Sequence, residues 1–262
     1  MARPLIALLT DFGVRDHYVG VMKGVMLGIC PDAQLVDLSH DVPPQDIGAA
    51  VRILAASVRY FPDGTLFLCV VDPGVGTTRP AVALDLDGQR FVGPDNGLFG
   101  DLWAAAHSRR GVALTSAAHA RASTSRTFEG RDRFGPAAAW LAAGTPLEAL
   151  GVPIDGVTPS PRIDAVHTGE EIRGVVVAVD RFGNLITNIP EGLLAQVPPP
   201  RAAFLGAHQA ALIDGSYGDV ADGGLCALIG SDGHLEVAVR NGSAAETLRA
   251  AAGAAVQVRS VA

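Results

Sequence analysis

The strongest constraint on the fold is the run Thr65-Leu-Phe-Leu-Cys-Val-Val71, which ends abruptly in Asp72-Pro-Gly-Val-Gly-Thr-Thr-Arg79. Seven apolar or β-branched residues in succession, opened by the turn Pro62-Asp63-Gly64, read as a strand buried on both faces, hence the middle of a sheet. An acid at the end of such a strand, followed by a Pro-Gly-x-Gly loop that cannot extend it, lies where open α/β sheets place ligands. Asp72 and Arg79 are therefore candidate site residues, although the same loop serves equally as a tight turn with a surface ion pair.

The segments before this strand repeat its logic. Leu5–Thr10 is a predicted strand that runs into Asp11, and Tyr18, Val19, Met22, Val25, Met26 and Ile29 then recur at helical spacing. Asp16 stands where a helix cap or a first-turn acid belongs. Gln34–Leu38 is a second predicted strand, followed by His40, and Ile47–Tyr60 is a second helix. Strand, helix, strand, helix, strand is the order of a parallel sheet with right-handed crossovers. Ala81–Leu86 and Arg90–Val92 flank Asp87-Gly88, a hairpin signal, and Gly93-Pro-Asp-Asn-Gly97 follows as a polar turn. Leu102–His107 and Pro136–Ala143 read as helices, with the charged, glycine-bearing stretch Thr127-Phe-Glu-Gly-Arg-Asp132 between them. Arg131 and Asp132 can simply pair with each other.

Four prolines and two glycines from Pro146 through Pro161 mark a linker. Beyond it come short strands without long helices: 174–179, 203–205, 210–213, 226–229, 235–239 and 255–258. The predicted architecture is thus an N-terminal α/β domain over 1–162, with a central, mainly parallel sheet, and a smaller C-terminal β-barrel domain over 163–262. In the latter, Asp180-Arg-Phe-Gly-Asn184 sets an aromatic ring beside amides, which suits a purine and equally makes a turn. Gly230-Ser-Asp-Gly233 is either a hairpin turn or a loop around a polar ligand end.

With 20 basic and 27 acidic residues the net charge is −7 and no basic run occurs, so a nucleic acid or an anionic membrane is a poor partner and a small molecule is expected. Cys30, Cys69 and Cys226 are far apart and in apolar contexts, which fits reduced, buried thiols and a cytoplasmic setting better than disulfides or a metal site. The amino-terminal stretch reads as a first strand and not a signal peptide, and no segment has the length of a membrane span.

Taken together, Leu9-Thr-Asp-Phe-Gly13, Tyr18-Val-Gly20, Lys23-Gly24, Val71-Asp-Pro-Gly-Val-Gly76 with Arg79, Gly93-Pro-Asp-Asn-Gly97, Thr127-Phe-x-Gly-Arg-Asp132, Phe182-Gly-Asn-Leu-Ile-Thr-Asn188 and Leu235-Glu236 resemble the S-adenosylmethionine hydroxide adenosyltransferases, hydrolase relatives of fluorinase and chlorinase. The resemblance implies hydrolysis of S-adenosylmethionine to adenosine and L-methionine with no metal and no further cofactor, in a homotrimer with sites at subunit interfaces. It implies that Asp11 holds the ribose hydroxyls and Asp16 the methionine ammonium. Asp180, Phe182 and Asn184 would face the adenosine, and Ser231 with Asp232 the methionine end. Asp72 and Arg79 match two members of the family's Asp-Arg-His triad, whereas the third position is Glu129.

The sulfonium leaves as a neutral thioether, so the reaction asks mainly for a water held in line and partly stripped of competing solvent. Glu129 either accepts the water's proton or orients Arg79. A carboxylate beside arginine is the weaker base of the two residue types, which favours orientation. Three other readings are a halide-using adenosyl transferase, a non-catalytic S-adenosylmethionine or adenosine binder, and a dinucleotide-dependent oxidoreductase. Carboxylates near the nucleophile oppose the first, and no G-x-G-x-x-G opens the first helix to support the last.

Overall fold

The computed structural model describes residues 3–122 and 125–261, so Met1 and Ala2 of the amino-terminal stretch lie outside it. The chain forms two compact units, residues 1–161 and 162–262.

The first unit is built on a seven-stranded sheet. Its strands are β1 (Leu5–Thr10), β2 (Gln34–Ser39), β3 (Leu66–Val70), β4 (Ala81–Leu86), β5 (Gln89–Pro94), β6 (Arg109–Leu114) and β7 (Gly151–Pro153), in the spatial order β2-β1-β3-β5-β4-β6-β7. The β2-β1-β3-β5 half is parallel and the remainder antiparallel. All five residues of β3 are buried because alternate side chains serve opposite cores. Leu66, Leu68 and Val70 join Ile6, Leu8, Met22, Met26 and Phe134, while Phe67 and Cys69 join Ala7, Leu9, Leu54, Phe91 and Phe99. Helices cover both faces, as a sheet apolar on both sides demands.

Helix α1 (Tyr18–Ile29) packs against α4 (Gly135–Ala142) in the first core, and α2 (Ile47–Val58) presents Ala50 and Leu54 to the second. Asp46 starts α2 by accepting from Ala49 N at 2.8 Å. Helix α1 has no such cap: His17 occupies the cap position without a side-chain bond, and Asp16 is exposed just ahead of it. The short α3 (Gly100–Ala105) follows β5. Asp87 and Gly88 both take positive φ, 49° and 88°, as a two-residue hairpin turn between β4 and β5 requires.

The stretch 146–161 is less of a linker than its prolines imply. Gly151–Pro153 adds to β6 as the outermost strand, where a proline costs the ladder nothing on its free side. Thr158 N then donates to Asp95 Oδ1 at 2.7 Å and Ser160 Oγ to the Gly97 carbonyl at 2.7 Å, which straps the segment to the turn after β5.

The second unit is a closed barrel. Its strands are β8 (Val166–Thr168), β9 (Glu171–Val179), β10 (Leu185–Pro190), β11 (Arg201–Leu205), β12 (His208–Leu212), β13 (Leu225–Ile229), β14 (His234–Val239) and β15 (Ala255–Ser260). The order β10-β14-β13-β12-β11-β15-β9 returns to β10 through the β9–β10 pairing, so seven strands close and β8 hangs on β9. Two short helices, α5 (Glu191–Leu194) and α6 (Ala244–Leu248), pack against β10 and β14. Val176, Leu185, Ile189, Leu235, Val237, Val256 and Val258 are among the side chains that fill the interior. One pair, β12 with β13, is parallel, so residues 213–224 must carry the chain back along the barrel.

Candidate active site

Parallel strands β1 and β3 pair Thr10 with Val70, so the chain leaves the same edge of the sheet at two adjacent strand ends, first as Asp11 and then as Asp72. Both acids line a cavity of about 470 Å³ together with Phe12, Tyr18, Val75, Phe128, Glu129 and Arg131. This is the carboxyl edge of a parallel sheet, where ligands of open α/β folds bind.

The loop after β3 folds back on itself, with Val75 N bonded to the Asp72 carbonyl at 3.3 Å and Thr77 Oγ1 to the Gly74 carbonyl at 2.6 Å. That turn aims Arg79 at the acid seven residues before it. Arg79 Nε donates to Asp72 Oδ1 at 2.8 Å and Nη2 to Asp72 Oδ2, a two-toothed clasp. The same Nη2 donates to Glu129 Oε2, and the Phe134 ring lies 5.1 Å from the guanidinium carbon. The side chains of Asp72, Arg79 and Glu129 are 6%, 11% and 16% exposed, so the triplet is largely dry and its mutual attractions are weakly screened. Burial pulls the Arg79 guanidinium down, but hydrogen bonds and charge from Asp72 and Glu129 outweigh it and hold the group above its ordinary value. Arg79 is a fixed cation, not a proton carrier.

Three rings wall the cavity edge to face: Phe12 and Phe128 at 5.9 Å, Tyr18 and Phe128 at 5.2 Å, and Phe12 and Tyr18 at 6.2 Å. Phe128 and Glu129 lead into a π-helical turn, Gly130–Phe134, that continues into α4. Asp132 is fully buried inside this turn. It takes Arg131 Nε at 2.6 Å, Arg131 Nη2 at 2.8 Å and Ser125 N at 2.6 Å. The Arg131–Asp132 pair expected from sequence is therefore real and braces the segment that delivers Glu129.

His40 is a brace as well. It is buried, with Nδ1 2.8 Å from Thr10 Oγ1 and Nε2 3.0 Å from Asp37 Oδ1, and it does not line the cavity. Asn96, in the turn after β5, donates to the Val71 carbonyl at 2.9 Å and so fixes the end of β3 from the other side. Asp11 accepts Gln45 N at 2.8 Å.

The second unit carries its own cavity, about 1150 Å³, lined by Asp180, Phe182, Asn184, Tyr217, Ser231, Asp232, Glu236 and Arg240, among others. Asp180 Oδ1 accepts Phe182 N at 2.8 Å and Asn184 N at 2.9 Å, while Oδ2 accepts Asn184 Nδ2 at 2.9 Å. Those bonds make a rigid turn that leaves Phe182 77% exposed, an aromatic platform with no apolar cover of its own. Gly183 takes φ 83° there, and a Cβ would run into Ser243, whose own Cβ would lie 2.6 Å away. Turn and ligand platform, the two readings of this motif, coexist. At the back of the cavity Tyr217 donates its hydroxyl to Glu236 Oε1. Burial raises Glu236 above the ordinary carboxylate range, the Tyr217 bond pulls the other way, and Asp180 and Asp232 add to the rise.

Of the residues expected to form a site, Asp11, Asp72 and Glu129 line the first cavity and Arg79 is clasped by the last two. Asp180, Phe182, Asn184, Ser231 and Asp232 line the second cavity, and Asp16 lines neither. Sequence reasoning missed Phe12, Phe128, Tyr217 and Glu236 as cavity residues. The first two sit beside Asp11 and Glu129 and were within reach of the argument, whereas Tyr217 lies in a polar Gly-Ser-Tyr-Gly stretch without periodicity. Among the described residues no group of three or more His, Cys, Asp or Glu is arranged to hold a metal ion, and no helix is long and apolar enough to cross a membrane.

An α/β unit with an acid-guanidinium-acid triplet at its sheet edge, followed by a small closed barrel, is an architecture with solved counterparts. A crystal structure of an uncharacterized conserved protein from Thermotoga maritima matches at a TM-score of 0.90 and 34% identity, covering 97% of this chain and 99% of that one. The chain belongs to the SAM hydroxide adenosyltransferase family: the family's N-terminal domain matches residues 6–151 and its C-terminal domain residues 174–257. Similar proteins include an (R)-S-adenosyl-L-methionine hydrolase of Thermus thermophilus, 41% identical over 93% of this chain and 94% of that protein. A fluorinase of Actinopolyspora mzabensis is 30% identical over 72% of each.

Proposed function

We propose that the protein hydrolyses S-adenosyl-L-methionine to adenosine and L-methionine, and that, like its relatives named for it, it takes the (R) sulfonium form. The observation that carries this reading is Arg79 clasped between Asp72 and Glu129, two acids that line the cavity at the carboxyl edge of the sheet. Water attacks C5′ in line with the departing sulfur. The new C5′–O bond forms as the C5′–S pair withdraws onto sulfur, which leaves as the neutral thioether of methionine. The water's proton is released to solvent. Arg79 and Asp72 fix the water, and Glu129 holds Arg79 in place through Oε2.

Asp11 then meets the ribose hydroxyls and Asp16 the methionine ammonium. Asp180, Phe182 and Asn184 face the adenosine, with Ser231 and Asp232 toward the methionine end. No metal and no separate cofactor enters the scheme. The working form is a homotrimer whose subunits share sites, for which light scattering should return three chains per particle. Three buried free cysteines support a cytoplasmic setting, and burial pushes the Cys69 thiol well up, away from reactivity.

The fluorinase likeness favours halide transfer as a second reading, which two carboxylates beside the nucleophile's place oppose. Chromatography after incubation with each sulfonium epimer, with and without chloride, separates the readings. Equal adenosine and methionine, reduced about 10²-fold or more in Asp72→Ala, is the expected result. A halide-dependent 5′-halo-adenosine would replace it with the transferase, and binding without product would leave a binding protein.

A further inference from the structure

A second cleft in the first unit, about 300 Å³, is lined by polar and basic groups that the hydrolysis does not use: Thr115, Ser116, His119, Arg121 and Arg133. Although the chain is acidic overall, no carboxylate is among the described residues that line it. Both guanidiniums keep hydrogen-bonding capacity in hand. Their nearest carboxylates stand 3.7 Å off, Asp132 Oδ1 for Arg121 Nη1 and Glu129 Oε1 for Arg133 Nη2, beyond hydrogen-bond reach. Asp132 is already engaged by Arg131 and Ser125, and Glu129 by Arg79.

The histidine is held rather than loose. Its Nδ1 lies 2.8 Å from Ser116 Oγ and its ring meets Trp140 edge-on at 5.6 Å. When Ser116 donates to Nδ1, the proton of the neutral ring resides on Nε2, which makes a third donor. Two forked cations and a fixed imidazole N–H around one concavity match the geometry of a tetrahedral oxoanion.

We propose that this cleft is a binding site for a small oxoanion of the phosphate class, held by Arg121 and Arg133 with His119 completing the donor set. The cleft has a different lining from the reaction's cavity, although Arg133 stands 3.7 Å from Glu129, and it needs no S-adenosylmethionine to be tested. Titration calorimetry of inorganic phosphate into the full chain, at ionic strength held constant with chloride, should give saturable binding with one phosphate per chain, and sulfate should compete. Arg121→Gln and Arg133→Gln should each weaken it about tenfold or more, the loss of a charge-assisted bond. Arg121→Lys should retain part of the affinity, since charge survives but the fork does not. Far-ultraviolet dichroism identical to the parent protein establishes that each variant is folded. Absence of saturable heat, or equal affinity in the parent and both glutamine variants, would overturn the site. Either result leaves the hydrolase reading untouched.

Discussion

Glu129 and Glu236 are both carboxylates set into cavities, and what lies against each separates their tasks. Glu129 rests on a guanidinium that Asp72 also grips, so its charge is used in holding Arg79. Glu129→Gln keeps the shape and removes that charge-assisted bond. We expect kcat to fall about tenfold or more with KM little changed, because the contact acts on the nucleophile and not on substrate binding. Glu129→His should restore turnover with a new acid limb near the imidazole's ordinary range, about 6.5. Steady-state rates against pH test both. Glu236 takes a hydrogen bond from a phenol and sits near two more acids, so its pKa is raised, first of all by burial. A raised value in the fold means that protonation favours the native state. The contribution is complete below the unfolded carboxyl value of about 4.3 and is lost as pH climbs through the higher folded value. At neutral pH that contribution is diminished relative to acid, so the carboxyl weighs against folding. Glu236→Gln, still able to accept from Tyr217, should raise the melting midpoint at pH 7, by about 2–4 °C for each ~1 kcal/mol relieved, and lose that gain near pH 4.

At the scale of elements, the site depends on how closely β3 and β5 approach. A Cβ added to Gly93 in β5 would stand 2.3 Å from the Cys69 carbonyl oxygen of β3 and 2.9 Å from the Phe99 ring, closer than Cβ atoms are found. Gly93→Ala should cost about 1–3 kcal/mol in urea unfolding and reduce activity with it, since β3 carries Asp72. The elements that sequence revealed are those whose pattern is local. β1 and β3 are unbroken apolar runs, α2 has its own cap, and the β4–β5 hairpin has its Asp-Gly turn. β10 escaped because Leu185-Ile-Thr-Asn-Ile189 hides its period of two: Thr187 is buried, bonded to the Leu235 carbonyl at 2.7 Å, whereas Ile186 faces the cavity. β7 was hidden by its proline and by a partner strand some forty residues earlier. Asp72 and Arg79 were legible because a strand cannot continue through Pro-Gly-x-Gly. Glu129 was legible only by likeness, since the contact that gives it meaning spans fifty residues, and the Tyr217–Glu236 pair joins separate elements in the same way.

At the scale of the whole molecule, the two units have separate cores, and the barrel closes without a strand from residues 1–161. A fragment of residues 162–262 should therefore unfold in urea as one cooperative transition, monitored by dichroism, and a non-cooperative slope would show that it needs the rest of the chain. The barrel also has an order of assembly written into it. β15 does not sit at a rim; it lies between β11 and β9, and β9 was made some eighty residues before it. On the ribosome the sheet of the first unit has all its strands by residue 153, while the barrel keeps two raw edges until residues 255–260 clear the exit tunnel. A chain stalled or cut in that last stretch would display an unfinished ring beside a finished sheet, and quality control would meet it as an open β-edge rather than as an unfolded protein.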